Sequence, residues 1–365
     1  MADQIETAEH RWSRAILHLD MDAFYVNVHI QDHPEDAAIP LVVGGRPDQR
    51  GVISSASYEA RRLGIRSAMP TSRALRIYPQ LKIVPADWTR IRERSRQVMT
   101  VLARNGPLEQ VSVDEAYLDL SLQEDPVSVA ATIKKDVKES TSLPCSVGLA
   151  GSKLVAKVAS DHDKPDGFTV VQPGKEAAFL APKPTRAIWG IGPRTAERLA
   201  ALQIHTCGQL AAAQPDQISA AVGRYALEFI QRAQGIDLRE VHVERRQAKS
   251  ISQEWTFSQD VNDPELLAAQ LSKMCASVAR SLRKKGLVAH TVIVKIRWAD
   301  FTTFTRQKSY EVGFDGESDL LRRANAIWRE NWEPGQFIRL LGVGVSNLEE
   351  PQVRQLRLRL DSGKS

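Results

Sequence analysis

Apolar and polar positions alternate along this chain in a way that switches repeatedly between a period of two and a period near 3.6, the signatures of strand and helix. Residues 14–22 read as a strand, with Ile16, Leu17 and Leu19 running into Asp20. A helical pattern starts directly after it, with Asp22 placed as its N-cap. Two short apolar runs at 40–44 and 51–55, punctuated by Gly, Pro and Asp, predict paired strands. Short helices follow at 58–63 and 71–78, ended by Gly64 and Pro79. A longer helix is predicted over 90–104, a strand pair over 111–114 and 116–120, a helix over 127–140, a strand over 144–150 and a helix over 152–161. This β-α-β-β-α-β alternation resembles a ferredoxin-like unit carrying a separate insert at 25–86.

The pattern then changes character. A Pro/Lys-rich stretch at 181–184 marks a boundary, and 185–235 reads as purely helical. A polar, charged stretch at 242–250 reads as a linker. Beyond it, strand patterns at 251–257, 291–298, 303–312 and 338–346 are separated by helical patterns at 264–285 and 317–330, a second α+β domain. At 365 residues, several domains are expected rather than a single core.

Composition narrows the function. No apolar run approaches the roughly 20 residues needed to cross a bilayer, and the polar, acidic start MADQIETAEHRW lacks a signal-peptide pattern. Cys145, Cys207 and Cys275 are widely spaced, with no C-x-x-C pair. A zinc site and a disulfide scaffold are therefore not expected, and a reducing cytoplasm is. The net charge is +5, and residues 241–310 alone hold twelve Lys/Arg against six Asp/Glu. That local excess fits a surface that grips a polyanion, although a basic run is often only a solvated face.

The most informative residues are acidic. Asp20 closes the first apolar strand, and Asp114 and Glu115 lie in the segment 111–119. Buried carboxylates are costly unless paired or bound to a cation. If the two segments lie side by side, Asp20, Asp114 and Glu115 converge as hard oxygen donors suited to Mg²⁺. Two such ions can hold the attacking and leaving oxygens of a nucleotidyl transfer. Asp22 shares the D-x-D spacing and would face the same way as Asp20 on a strand, which makes it a tempting fourth ligand; the N-cap role is preferred. Tyr58 and Arg61, spaced i, i+3, share a helix face and could bind triphosphate oxygens, with the Ser55 hydroxyl beside them. The GIG turn at Gly190, Ile191 and Gly192, with Thr195 opening a helix, resembles a helix-hairpin-helix, whose backbone N–H groups can approach a DNA phosphate.

"LDMDAFY" at 19–25 followed by "SVDEAYLD" at 112–119 resembles the Y-family of translesion DNA polymerases, most closely its DinB, or DNA polymerase IV, branch. Further matches, in family order, are "SYEARRLGI", "AKVASDHDKPDG", "GIGPRTAERL", "LLGVGVSNL" and "QLRLRL". The resemblance implies a right-hand polymerase, α+β and multidomain: a palm at 14–24 and 87–172, fingers at 25–86, a helical thumb at 173–241, a linker at 242–248, a little finger at 249–348 and a tail at 349–365. It implies two Mg²⁺ ions, with Mn²⁺ as an alternative, on Asp20, Asp114, Glu115 and the main-chain carbonyl of Met21. It places the ring of Tyr25, beside Phe24, against the sugar of the incoming nucleotide, and Lys157 near the terminal phosphate. Its implied partners are primer-template DNA, a dNTP and a sliding clamp, the last through Gln355, Leu356, Leu358 and Leu360. The basic cluster Arg283, Lys284 and Lys285 is a further candidate DNA contact. A cytoplasmic, nucleoid-associated bacterial monomer without membrane contact or proofreading is expected; the alternative is a scaffold that keeps the fold without the chemistry. Val26, His29, Ser152 and Trp189 depart from the family pattern, where Ala, Glu, Asn and Pro are usual.

Overall fold

The computed structural model describes residues 12–244, 247–333 and 335–351. The chain divides into two compact units. One holds residues 12–45, 52–69 and 73–244; the other holds 247–351 with the short segments 46–51 and 70–72.

The centre of the first unit is a five-stranded sheet. Edge to edge it runs Leu108–Gln110, Glu115–Asp119, Ile16–Met21, Cys145–Ala150 and Phe168–Val170. The first four strands pair antiparallel, in the order a ferredoxin-like unit requires, and Phe168–Val170 adds to the edge in parallel. The period of two decides which side each residue takes. Leu17, Leu19 and Met21 pack with Ala116, Leu118, Val147 and Leu149 under the helices Trp88–Ala103 and Pro126–Thr141. Ile16 packs on the opposite face with the helix Lys153–Ser160, and the buried His18 bonds Ser160 of that helix. This helix lies unusually close to the sheet, and Gly148 is the reason. A Cβ there would come within 2.1 Å of the Ala156 carbonyl oxygen and 2.4 Å of the Ser160 nitrogen. Beyond it, the helices Pro193–Ala201, Cys207–Ala212, Pro215–Val222 and Ala226–Ala233 share the same core.

Within the insert, Leu41–Gly44 pairs antiparallel with Ile53–Ala56, as the hairpin pattern predicts, and in parallel with Lys82–Val84. The helices Tyr58–Arg62 and Thr71–Ile77 pack on these strands through Ala60 and Ala74, joined by Ile65 from the connection between them.

The second unit is a four-stranded antiparallel sheet in the order Thr303–Phe314, Val288–Trp298, Ile338–Glu349, Ser250–Val261. The helices Pro264–Lys285 and Glu317–Asn331 bury Leu271, Met274, Val278, Leu320 and Ile327 against one face, on Val292, Val294, Leu341 and Val343. By alternation the other face carries Lys295, Arg297, Thr305, Gly342, Gly344 and Ser252.

Three expectations need correction. Asp22 is not the N-cap of the helix Phe24–Asp32. That position falls to Ala23, which is left-handed (φ 41°) and makes no side-chain cap, because the Asp22 carboxylate is engaged elsewhere. Residues 111–114 form a tight turn, not a strand. Val111 and Ser112 both donate to the Glu115 carbonyl, and the Ser112 hydroxyl accepts from the Asp114 N–H at 3.2 Å. The helix after the GIG turn opens at Pro193 rather than Thr195, with Gly192 as N-cap, since the fixed φ of proline suits the first helical position. Among the described residues, no helix is long and apolar enough to cross a membrane.

Candidate active site

Asp20 and Glu115 are cross-strand neighbours in register, and the Met21 N–H donates to the Asp114 carbonyl at 2.9 Å. The two acidic segments therefore do meet. A cleft of about 250 Å³ opens at this strand end. Its lining includes Asp20, Met21, Asp22, Phe24, Tyr25 and Asp114 from the sheet side, Ser54, Ser55, Tyr58, Arg61 and Ser67 from the insert, and Lys164.

Each side chain is held by identifiable contacts. The Ser112 hydroxyl donates to Asp114 Oδ1 at 2.5 Å. Asp20 pairs with Lys164 Nζ at 2.7 Å, and Lys164 also reaches Asp161 at 2.7 Å. Burial pushes the Asp20 carboxyl above the ordinary carboxylate range, although Lys164 pulls the other way. Burial likewise opposes the charge on Lys164, but Asp20 and Asp161 together outweigh it and hold this lysine above its usual value. Glu115 stands apart from the cleft lining. Its Oε1 meets His18 Nε2 at 2.8 Å and the Lys157 ammonium. Burial, reinforced by Lys157, pushes His18 well below its ordinary pKa, so the ring is neutral near pH 7. The other ring nitrogen, Nδ1, lies 2.7 Å from the Ser160 hydroxyl, which itself donates to the Lys157 carbonyl at 2.8 Å. Burial also lowers the pKa of Lys157.

Phe24 is 2% exposed and belongs mainly to the core. The Tyr25 ring stands edge-on to Trp88, with centroids 5.5 Å apart. On the helix Tyr58–Arg62, capped by the Ser57 hydroxyl, Tyr58 and Arg61 share a face as their spacing predicts, and the Arg61 guanidinium lies 4.7 Å from the centre of the Tyr58 ring. The Tyr58 hydroxyl donates to Asp22 Oδ1 at 3.0 Å, and Arg61 Nε donates to the Ala56 carbonyl at 3.0 Å. His29, at the far end of its helix, pairs with Asp36 at 2.8 Å and is remote from the cleft lining.

The family resemblance puts Lys157 among the phosphate-binding groups, whereas the lysine that lines this cleft is Lys164. The motif "AKVASDHDKPDG" contains both, but no local pattern distinguishes them. Only the fold brings the turn 164–167 beside Asp20. Ser54, Ser67, His18 and the anchoring of Asp22 escape sequence reasoning for the same reason.

The remaining candidates lie elsewhere. Gly190 adopts φ 99°, where an added Cβ would crowd Phe229 and Arg232 at 3.2 Å. Ile191 is buried beside it, and Gly192 faces open space at the start of the helix Pro193–Ala201. Arg283, Lys284 and Lys285 form the last turn of the helix Pro264–Lys285, ended by the left-handed Gly286, and Arg283 donates to the Asp315 carbonyl at 3.2 Å. Gln355, Leu356, Leu358 and Leu360 lie outside the described residues.

The donor chemistry fits a hard divalent cation. Asp20 and Asp114 present to the cleft the carboxylate oxygens that such an ion takes, and the ammonium groups of Lys164 and Lys157 pair with Asp20 and Glu115. Among the described residues, no three His, Cys, Asp or Glu side chains are already gathered as a metal site.

A ferredoxin-like sheet that carries paired carboxylates at a strand end, beneath an insert offering Tyr and Arg, defines the class of right-hand nucleotide polymerases. Residues 19–161 match the model of the impB/mucB/samB family, and residues 248–358 match that family's C-terminal domain. The chain is 42% identical over 350 residues to a DNA polymerase IV of Methanoculleus marisnigri, covering 94% of this chain and 97% of that one. It is 38% identical to a DNA polymerase IV of Halorhodospira halophila, with the same coverage of both chains. Among solved structures, a Y-family DNA polymerase chimera of Dbh and Dpo4 superimposes with a TM-score of 0.81 at 24% identity, covering 91% of this chain and 98% of that one. The chain belongs to the Y-family of DNA polymerases, in its DNA polymerase IV branch.

Proposed function

We propose that this chain is a translesion DNA polymerase that adds deoxynucleotides to a primer 3′-hydroxyl under the direction of a template, and that the cleft beside Asp20 is its nucleotide site. The observation that carries the reading is the shared lining: two carboxylates, Asp20 and Asp114, line one space of about 250 Å³ together with Tyr58, Arg61 and Lys164. Two divalent cations, Mg²⁺ or Mn²⁺, held by Asp20, Asp114, Glu115 and the Met21 carbonyl, would lower the pKa of the primer hydroxyl and offset charge on the leaving pyrophosphate. The chain's own residues supply the rest. Arg61 can fork onto phosphate oxygens, and Lys164 acts there as a point charge. Ser54, Ser55 and Ser67 offer hydroxyls. The Tyr25 ring, backed by Trp88, lines the same cleft and would exclude a 2′-hydroxyl. His18 and Lys157 hold one oxygen of Glu115, Oε1, so that the other stays available. Catalysis of this kind rests on positioning and electrostatics.

The finer reading assigns palm, fingers, thumb and little finger as the sequence suggests. It gives the GIG turn and the basic second unit to the duplex backbone and the segment 355–360 to a sliding clamp. It includes no proofreading, because the sequence offers no second carboxylate-rich motif. The test is primer extension with one dNTP at a time opposite each template base. Addition of only the template-matched nucleotide, abolished by chelating divalent ions, is expected. No addition, or addition that ignores the template, overturns the reading.

A further inference from the structure

Asp22 has no part in the chemistry above, yet both oxygens of its carboxylate are bonded inside the first unit. The strand ends at Met21, and Asp22 turns into the fold, where it is 1% exposed. Its oxygens accept from the Tyr58 hydroxyl at 3.0 Å, from the Ser146 hydroxyl at 3.0 Å on both sides, and from the Asp166 N–H at 2.8 Å. These donors are neutral, and they come from three separate places: the helix Tyr58–Arg62, the strand Cys145–Ala150 and the turn 164–167. Two of the three also deliver a side chain to the cleft, Tyr58 itself and Lys164, two residues before Asp166. The turn is tied down further. Ser146 Oγ accepts from the Gly167 N–H at 3.2 Å, and Lys134 and Lys138 grip the Asp166 carboxylate at 2.7 and 2.8 Å. Burying a carboxylate is costly unless every oxygen is bonded, and here the bonds converge from the elements that must agree in position.

We propose that Asp22 is a positioning residue that fixes Tyr58 and Lys164 in one frame, so that both reach the triphosphate of the incoming nucleotide together. The proposal rests on the reading of the cleft as a nucleotide site. Its chemistry is specific to a carboxylate. In Asp22→Asn the shape is kept, but one acceptor oxygen becomes an N–H donor. If that donor faces Asp166, two N–H groups oppose each other and the Lys164 turn loses its anchor. If it faces Tyr58, the phenol loses its acceptor.

Single-nucleotide insertion kinetics test this, with primer-template affinity measured separately. Asp22→Asn is expected to raise KM for the dNTP by about tenfold, as loss of a hydrogen bond to a charged group implies, with kcat and DNA affinity within about twofold of wild type. Because Asp22 acts through Tyr58 and Lys164, the same substitution in a Tyr58→Phe, Lys164→Ala background should add less than about twofold. A full additional tenfold in that background overturns the proposal, as does a fall in kcat with KM unchanged. Should Asp22→Asn fail to fold, Ser146→Ala removes one donor to Asp22 and the acceptor of Gly167 without touching the cleft. It should give the same KM-only pattern at about threefold, and a pattern confined to kcat overturns the proposal there too. Wild-type protein that adds no nucleotide overturns the polymerase reading and this inference together, whereas normal wild-type addition with additive substitutions overturns the placing role alone.

Discussion

The two sheets of this molecule handle charge in opposite ways. At the end of the five-stranded sheet the carboxylates of Asp20, Asp22 and Glu115 are drawn into the fold, and each is held by at least one hydrogen bond or ion pair of 3.0 Å or less. In the second unit the Arg323 guanidinium is drawn in over the rings of Tyr310 and Phe314, but other charges stay at or near the surface. Lys295 and Glu254 pair across exposed strand positions, and Arg283, Lys284 and Lys285 crowd a helix end. The difference follows from what each surface must do. A reacting centre tolerates little misplacement, so its groups are bonded from several directions. A surface that follows a phosphate backbone needs positive charge of roughly the right density, and mobile, solvated side chains provide it.

That contrast predicts a gradient of sensitivity. Removal of a carboxylate from the first sheet should have the largest effect: Asp114→Ala or Glu115→Ala should lower primer extension on the order of a thousandfold, with DNA affinity little changed, read by extension and binding assays side by side. Normal extension by both variants would erase the distinction between the sheets. Next comes the choice between two lysines. Lys164→Ala should raise KM for the dNTP about tenfold, while Lys157→Ala, acting on Glu115, should appear in kcat; the reverse assignment in steady-state kinetics would restore Lys157 to the phosphate. Tyr25→Ala should raise ribonucleotide use relative to deoxynucleotide use by a similar factor of about ten. An unchanged ratio would leave Tyr25 a packing residue between Phe24 and Trp88. The smallest effect belongs to the second sheet. Charge reversal at Arg283, Lys284 and Lys285 should weaken DNA binding and flatten its salt dependence by about 0.9 in slope for each phosphate that is no longer neutralised. Unaltered titrations would move the interface to the open face, where Lys295 and Arg297 stand.

Sequence patterning finds what is periodic and long. The helix over 264–285 and the central strand that carries Asp20 are where alternation places them, because each buries a whole face. Three-residue strands escape it: Lys82–Val84 and Phe168–Val170 pair in parallel with strands distant in the chain, and three residues carry no readable period. The turn at 111–114 mimics a strand because its two valines alternate with polar residues as a strand would. In the site, the residues that stand in a readable motif are legible, Asp20 and Asp114 in the two acidic motifs and Tyr58 with Arg61 on one helix face. Those that act across the fold are not. Nothing near Lys164 in the sequence announces that its ammonium will meet a carboxylate 144 positions away, and the D-x-D spacing of Asp20 and Asp22 suggests a shared face that the end of the strand removes.

The left-handed Ala23 carries a consequence for how this polymerase can change. Such a conformation costs a non-glycine residue roughly 1–2 kcal/mol, and here it is 5% exposed, with its carbonyl bonded to the Asn27 N–H at 3.0 Å. On one side of it are Asp20 and Met21, and on the other Phe24 and Tyr25, so a single bend joins the part that would hold ions to the part that would judge the sugar. A helix turns by about 100° per residue. Inserting or deleting one residue at this bend would leave every chemical group present in the gene and yet swing Tyr25 around its helix, away from the cleft. Substitutions can tune this enzyme one property at a time; a change of length here would uncouple all of them at once.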